Sequence, residues 1–322
     1  MAKNDQPYLG IDLGGTNIQA GVIGSDNQLI ATDRLKTKAD GGQDAVVQRI
    51  VKVVDSVLDK AKVKVKDVAG LGIGAPGAVN HKKGIVINAV NLRWVDFPLG
   101  KQLEKELGIP IVVDNDVNVG TWGEYMAGAG KDHDELLGIF VGTGIGGGLV
   151  LNGDLYHGHH LTAGEIGHTI INADAGLGRR TLENLASRTN IVNQLKQLIL
   201  ANHPSDISKL TDGDLDRVRS KILAEAFTND DKLTQVVIGQ AAHYIGASIA
   251  NTVTLLSLPC VVVGGGLTEA LQAEWIKLIR DVFEEYVFPP ELSKCKIVAS
   301  ELGDDAGTIG AALLAKQRLE KD

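Results

Sequence analysis

The sequence predicts an α/β protein of two lobes, and three observations predict it. Strand and helix patterns alternate from one end to the other with no low-complexity linker or charged tail. A strand, glycine turn and strand open the chain and recur in its second half. A length of 322 residues also exceeds the usual size of one core.

The elements follow in order. YLGIDLGG is an apolar run broken by a glycine pair, and IQAGVIG and QLIATDRL continue it, so three antiparallel strands open the chain. In DAVVQRIVKVVDSVLDKA, Val46, Val47, Ile50, Val53, Val54, Val57 and Leu58 recur at helical spacing, which predicts a helix crossing back over the sheet. VAGLGIGAPG and IPIVVDND return as strands, each ending at glycine or polar residues. LLGIFVGTGIGGGLVLNGDLY repeats the opening, with NGD as the next hairpin turn, and reads as an internal duplication. Helical patterns at about 183–200 and 229–256 precede the strand PCVVVGGG, the helix LTEALQAEWIKLIRDVFEEY, the strand CKIVASEL and a closing helix, DDAGTIGAALLAKQRL. Two lobes of similar build put their polar strand ends around a crevice, the expected place for a ligand.

Composition excludes several classes. The chain is 44% hydrophobic and 22% charged, and it has no apolar run long enough to cross a bilayer. MAKNDQPY is polar and lacks the apolar core of a signal peptide, so a cytoplasmic protein with no membrane partner is expected. A net charge of −8 argues against nucleic acid as a partner, because phosphate backbones are held by clustered Lys and Arg. The only two cysteines, Cys260 and Cys295, imply no disulfide framework, and Cys260 in its apolar strand reads as packing.

Three glycine turns carry the chemistry of phosphate. DLGGT places Asp12, Gly14, Gly15 and Thr16 just after a strand, where bare backbone can approach an anion and Thr16 can donate to it. Asp12 suits Mg²⁺, held through water. The same residues also suit a plain hairpin turn. GTGIGGG contains Gly142, Thr143 and Gly144 and formally matches the dinucleotide fingerprint, but a strand follows the glycines instead of a helix, so a hairpin phosphate loop fits better. The Walker pattern is absent. Gly264, Gly265 and Gly266 follow VVV and precede a helix, in the right order for a nucleotide to rest on a helix N-terminus; a tight strand-to-helix connection explains them equally well.

VVDNDVNVGTWGE puts Asp114, Asn115, Asp116 and Asn118 at a strand end before a helix. An acceptor hydroxyl in phosphoryl transfer needs a carboxylate to take its proton, which makes Asp116 the candidate base. Asn115 can donate to and accept from a polyol, and one of the four residues can instead cap the helix. Glu165 and His168 in TAGEIGHTIIN and Glu183 in LENLAS add groups able to bond sugar hydroxyls. HGHH, with His157, His159 and His160, invites a metal reading, but these histidines share one turn with no cysteine nearby, and a structural zinc site is not expected there.

The motifs DLGGT, GIGAPG, DND, GTGIGGG, GEIGH, GGG and GDDAGTIGAA occur in the order found in the ROK (repressor, open reading frame, kinase) family, which the chain resembles over essentially its whole length. The resemblance implies a two-lobed actin-like ATPase (ribonuclease H-like) fold with an interdomain cleft, ATP and Mg²⁺ as phosphoryl donor, and a hexose acceptor. The implied lobes are residues 1–117, joined by the C-terminal helix 305–322, and a larger lobe, 118–304. Carried over by position, Asp116 is the base for the sugar 6-hydroxyl. Asn91, Asn115, Glu165, His168 and Glu183 are then sugar contacts, and Gly77 lines the pocket. Members of the family form homodimers, so a homodimer is implied.

Two departures stand out. Most members bind zinc through the His of GEIGH and three Cys, whereas this chain reads GLGRRTLE over residues 176–183, so no zinc in the usual form is expected and His168 needs another support. Gln19 stands where members often carry a basic residue. The repressors of the family add a winged-helix region ahead of the first phosphate loop; with that loop at Asp12 and an acidic chain, a DNA-binding regulator is not expected. The segment GAGK at Gly128–Lys131 resembles ATP-dependent glucokinases and favours glucose over N-acetylhexosamine kinase, fructokinase, mannokinase or polyphosphate-dependent glucokinase.

Overall fold

The structure is a computed structural model that describes residues 6–321. The chain runs β1 (Tyr8–Leu13), β2 (Asn17–Ile23), β3 (Leu29–Lys36), α1 (Gln43–Ala61), β4 (Gly70–Ala75), β5 (Ala78–Asn80), β6 (Ile85–Ala89), β7 (Trp94–Phe97), α2 (Leu99–Leu107), β8 (Ile111–Asn115) and α3 (Asp116–Ala127). It continues through β9 (Leu136–Val141), β10 (Ile145–Leu151), β11 (Asp154–Leu155), α4 (Leu182–Ala186), α5 (Arg188–Leu200), α6 (Ile207–Leu210), α7 (Ser220–Thr228), α8 (Lys232–Leu256), β12 (Cys260–Gly264), α9 (Gly266–Leu271), α10 (Ala273–Tyr286), β13 (Lys296–Ala299) and α11 (Ala306–Lys321).

Two five-stranded sheets repeat one plan, in the orders β3-β2-β1-β4-β8 and β11-β10-β9-β12-β13, and β5-β6-β7 forms a small third sheet. In the first, β1–β2 and β2–β3 are antiparallel, while β4 is parallel to both β1 and β8. In the second, β12 is parallel to β9 and β13. This is the actin-like ATPase fold, and the matched orders are the duplication visible in the sequence.

The apolar stripe of α1 is buried as its spacing predicts, from Val46 to Leu58, against the Leu9, Ile11, Val22 and Ile73 core of the first sheet. Each such side chain contributes about 1.5–3 kcal/mol of burial. The NGD turn joins β10 to β11 with φ 53° at Asn152 and 77° at Gly153, the two left-handed residues that a tight hairpin demands. Two expected helices are interrupted. Ser187 ends α4 and caps α5 by accepting the Asn190 amide at 3.3 Å, and Gln272, at φ 47°, separates α9 from α10. Both cysteines are buried, and burial pushes their thiols up to about 11 at Cys260 and about 12 at Cys295, in keeping with packing.

The chain divides into two compact units, and the division differs from the expected 117/118 boundary. The first holds the chain through Lys131, Gly148–Gly164 and the chain from Asp304; the second holds Asp132–Gly147 and Glu165–Gly303. Helix α3 belongs to the first unit because it packs backbone to backbone on α11: a Cβ on Gly310 would lie 1.7 Å from the Val119 carbonyl oxygen, and one on Gly123 would lie 2.5 Å from that of Ala306. Gly148–Gly164 follows it, since a Cβ on Gly148 would lie 2.3 Å from Thr121 Oγ1, and Gln317 donates to Asp154 at 3.0 Å. In the second unit the apolar face of α10, with Trp275, Ile279 and Phe283, packs on α8, where Gly246 leaves room for the Ile279 carbonyl. Among the described residues no helix is long and apolar enough to cross a membrane.

Candidate active site

The first unit gathers Asp12, Gly14, Gly15, Thr16, Gly77, Asn91, Asn115 and Asp116. Strand β1 ends at Asp12 and Leu13, and the turn behind it is fixed by its own backbone: the Gly14 amide donates to the Asn17 carbonyl at 2.9 Å, and Thr37 Oγ1 donates to the Gly14 carbonyl at 2.6 Å. Gly15 lies so close to Asn91 that a Cβ would stand 3.1 Å from that of Asn91, which brings the phosphate turn and one expected sugar contact together. Thr16 is exposed. Burial pushes the Asp12 carboxyl up to about 6, with Arg34 opposing the shift and Asp304 reinforcing it.

Gln19, which stands where family members often carry a basic residue, is bonded to one. Its register partner on β3 is Arg34, whose Nε donates to Gln19 Oε1 at 2.8 Å, while Gln19 Nε2 donates to Asp305 Oδ1 at 2.6 Å. Arg34 also pairs with Asp304 at 3.1 Å. The Arg34 guanidinium, two strands from Asp12 in the sheet and held by Gln19, acts on the Asp12 carboxyl through its charge. An Arg on the solvent-facing side of a strand gives no local signal of such a role, so the sequence reading passed over Arg34, Asp304 and Asp305.

The β8–α3 corner separates the four residues of the acidic cluster. Asn115 is the helix cap: its Oδ1 accepts the amides of Val117 at 2.8 Å and Asn118 at 3.1 Å, and its Nδ2 donates to the Gly77 carbonyl at 3.0 Å. Gly77 holds φ 84°, and a Cβ there would meet the Asn88 carbonyl oxygen at 2.1 Å, so only glycine fits this turn. Asp116 is the first residue of α3, partly exposed, and its Oδ1 accepts the Val117 amide at 2.9 Å. Asp114 is buried with four donors on it: the Asn115 amide at 2.8 Å and Asn118 Nδ2 at 3.0 Å on Oδ1, and His157 Nε2 at 2.8 Å and Arg318 Nη2 at 2.7 Å on Oδ2. Burial alone would raise its carboxyl, but His157, Arg318 and Asn118 outweigh burial and hold it far below the usual range.

The second unit gathers Gly142, Thr143, Gly144, Glu165, His168, Glu183, Gly264, Gly265 and Gly266. The β9–β10 turn closes on itself, with the Gly142 amide donating to the Gly144 carbonyl at 2.8 Å. Glu183, expected as a sugar contact, turns its Oε2 onto the Ile145 amide at 2.9 Å and lies where a Cβ on Gly144 would be, 2.2 Å away. Arg188 adds a backbone bond to Gly142 at 3.1 Å and a side-chain bond to Thr143 Oγ1 at 3.3 Å. Glu165 precedes and His168 ends a single 3-10 turn, Ile166–His168, and both are exposed. Gly167 in that turn sits against the Ile145 carbonyl, where a Cβ would be 2.0 Å from the oxygen. Gly265, at φ 98°, also passes close to Val141, where a Cβ would be 2.3 Å from the carbonyl oxygen, and α9 begins at Gly266.

The segment from His168 to Glu183, which carries no cysteine, is closed by two main-chain contacts and one side-chain bond. Ile170 and Thr181 form a bridge, Leu182 donates to the Thr169 carbonyl at 3.1 Å, and Arg180 Nε donates to the Ala175 carbonyl at 2.7 Å. A pocket of about 580 Å³ beside this segment is lined by carboxamides, among them Asn172, Asn184, Asn190 and Gln240, and contains none of the expected site residues.

The sequence matches the ROK family over residues 8–318. The chain belongs to the ROK family. This ROK protein is 32% identical to a glucokinase of Halalkalibacterium halodurans, over 98% of this chain and 96% of that one. It is similar to the crystal structure of a ROK family glucokinase from Streptomyces griseus in complex with glucose and AMPPNP, at a TM-score of 0.86 and 32% identity, covering 97% of this chain and 99% of that one. A ROK family transcriptional regulator, a homolog of the E. coli Mlc protein, superposes with a TM-score of 0.85 at 25% identity, covering 97% of this chain and 78% of the regulator.

Proposed function

We propose that this ROK protein is a sugar kinase that transfers the γ-phosphoryl group of ATP to the 6-hydroxyl of a hexose, with glucose as acceptor and Asp116 as general base. One observation carries the reading: of the two carboxylates at the β8–α3 corner, Asp114 is buried and saturated by donors, whereas Asp116 is partly exposed on the first turn of α3. Asp116 is therefore the group able to meet an acceptor hydroxyl and take its proton.

The other residues divide by what they offer. The Gly15, Thr16, Thr143 and Gly144 amides and the two threonine hydroxyls are donors for phosphate oxygens, while the Gly14 and Gly142 amides hold the turns in shape. Asp12 fits Mg²⁺ held through water, because its carboxyl is desolvated beyond what Arg34 offsets, a balance that a cation corrects. ATP with Mg²⁺ supplies the transferable phosphoryl group and neutralises its charge. Asn91, Glu165 and His168 present polar groups toward solvent for sugar hydroxyls. Asn115 and Glu183 also shape loops: the cap engages the one oxygen of Asn115, and the Ile145 bond engages Oε2 of Glu183, leaving Oε1 for a sugar hydroxyl.

The similarity to proteins described as glucokinases supports glucose. Coupled assays with glucose, mannose, fructose, N-acetylglucosamine and N-acetylmannosamine, each with ATP and with polyphosphate, test it. The highest kcat/KM is expected for glucose with ATP. A preference for another sugar or for polyphosphate overturns the specificity, and sugar binding without turnover marks a sensor instead of an enzyme.

A further inference from the structure

We infer that Arg318, near the end of α11, and the Asp114 carboxylate it pairs with are positioning residues for Asp116; this inference rests on the kinase reading above. Asp114 Oδ1 grips the first turn of α3 at two points, the Asn115 amide and the Asn118 side chain, and Asp116 lies between them. The rotation of one buried carboxylate thus sets the turn that carries the base. That rotation is fixed in turn by the two donors on Oδ2, from residues 43 and 204 positions away in sequence.

Charge decides which donor matters more. The Asp114 side chain is 2% exposed, and a buried carboxylate is tolerated only when paired. Arg318 brings a positive charge at every pH, whereas an imidazole carries one only when protonated. His81 closes the remaining side, its ring stacked 3.8 Å from that of His157 and its Nδ1 buried with no hydrogen-bond partner.

His81, Asp114 and His157 also offer ligand atoms within 4.8 Å of one another, as a metal site would. Against that reading, the Asp114 oxygen on this side already accepts two donors, one of them a guanidinium. A divalent ion would bring two charges beside Arg318 with one carboxylate to balance all three. The arrangement suits a hydrogen-bonded anchor.

Arg318→Ala, Arg318→Lys and Asp114→Asn test it in the full-length protein. Arg318 is 26% exposed, so a small cation can enter the gap left by truncation. In Arg318→Ala, kcat is expected to fall roughly tenfold or more with the KM for ATP within about threefold, since the reacting groups lose alignment while donor binding does not change. Guanidinium at low millimolar concentration should restore kcat, and sodium at the same ionic strength should not; Arg318→Lys should retain part of the activity. A kcat within about twofold of the parent, or a loss that guanidinium leaves untouched, overturns the inference. If the parent phosphorylates no sugar, the kinase reading fails separately, and crystal structures still decide. An Asp116 carboxylate that stays within about 0.5 Å of its parent position in both Arg318→Ala and Asp114→Asn overturns the positioning role.

Discussion

Glu183 Oε2 accepts the backbone amide of Ile145 at 2.9 Å, which ties the first turn of α4 to the glycine hairpin between β9 and β10. A carboxylate expected to bind sugar thus also braces, through one of its two oxygens, the loop assigned to phosphate. Glu183→Ala should loosen that loop and raise the KM for ATP several-fold, about the effect of losing a charge-assisted hydrogen bond worth roughly 1.5–3 kcal/mol. Initial-rate kinetics with each substrate varied in turn checks this. A change confined to the sugar KM would assign Glu183 to direct sugar contact and remove the brace from donor binding.

Asp116→Asn should lower turnover by roughly two or more orders of magnitude, the scale of a lost general base. The amide keeps an acceptor for the Val117 N–H, so the thermal midpoint should hold near that of the parent. Phosphorylation at a near-parental rate would remove Asp116 from the mechanism.

Gly310→Ala should destabilise the protein by roughly 1–3 kcal/mol or more, against a helix-propensity gain of about 1 kcal/mol. The added Cβ would fall 1.7 Å from the Val119 carbonyl oxygen, so α3 and α11 must separate. Urea denaturation reads the change. An unchanged midpoint would show that the two helices part without cost.

His81 should make the protein less stable in mild acid. Burial first, then the charge of His157, lowers its pKa from 6.5 to about 4. Between those values the unfolded chain binds a proton that the folded protein refuses, so stability falls as pH drops through that window. His81→Phe should lose less stability than the parent between pH 7 and 4.5 in thermal melts across that range. Parallel curves would mean that His81 titrates alike in both states.

Much of the site was legible because its signals are local. Glycines after a strand, the NGD turn, the stripe of α1 and a carboxylate at a strand end are properties of a few adjacent residues, fixed by backbone sterics and side-chain periodicity. Where the expected boundary changed, a partner distant in sequence was the reason; where an expected helix broke, the partner was three residues away. The boundary expected at 117/118 moved because Gly123 meets Gly310, and the helix expected over 183–200 broke where Ser187 found a capping bond.

The sequence by itself determined the α/β class, the glycine turns and the two chemical candidates, Asp12 and Asp116. Only the tertiary structure decided which polar groups are engaged. It joined Gln19 to Arg34 and Asp305, turned Glu183 onto Ile145, and set Arg318 and His157 on Asp114. A hydrogen bond depends on ångström distances between side chains that the chain path brings together, and no pattern of neighbouring residues carries that distance.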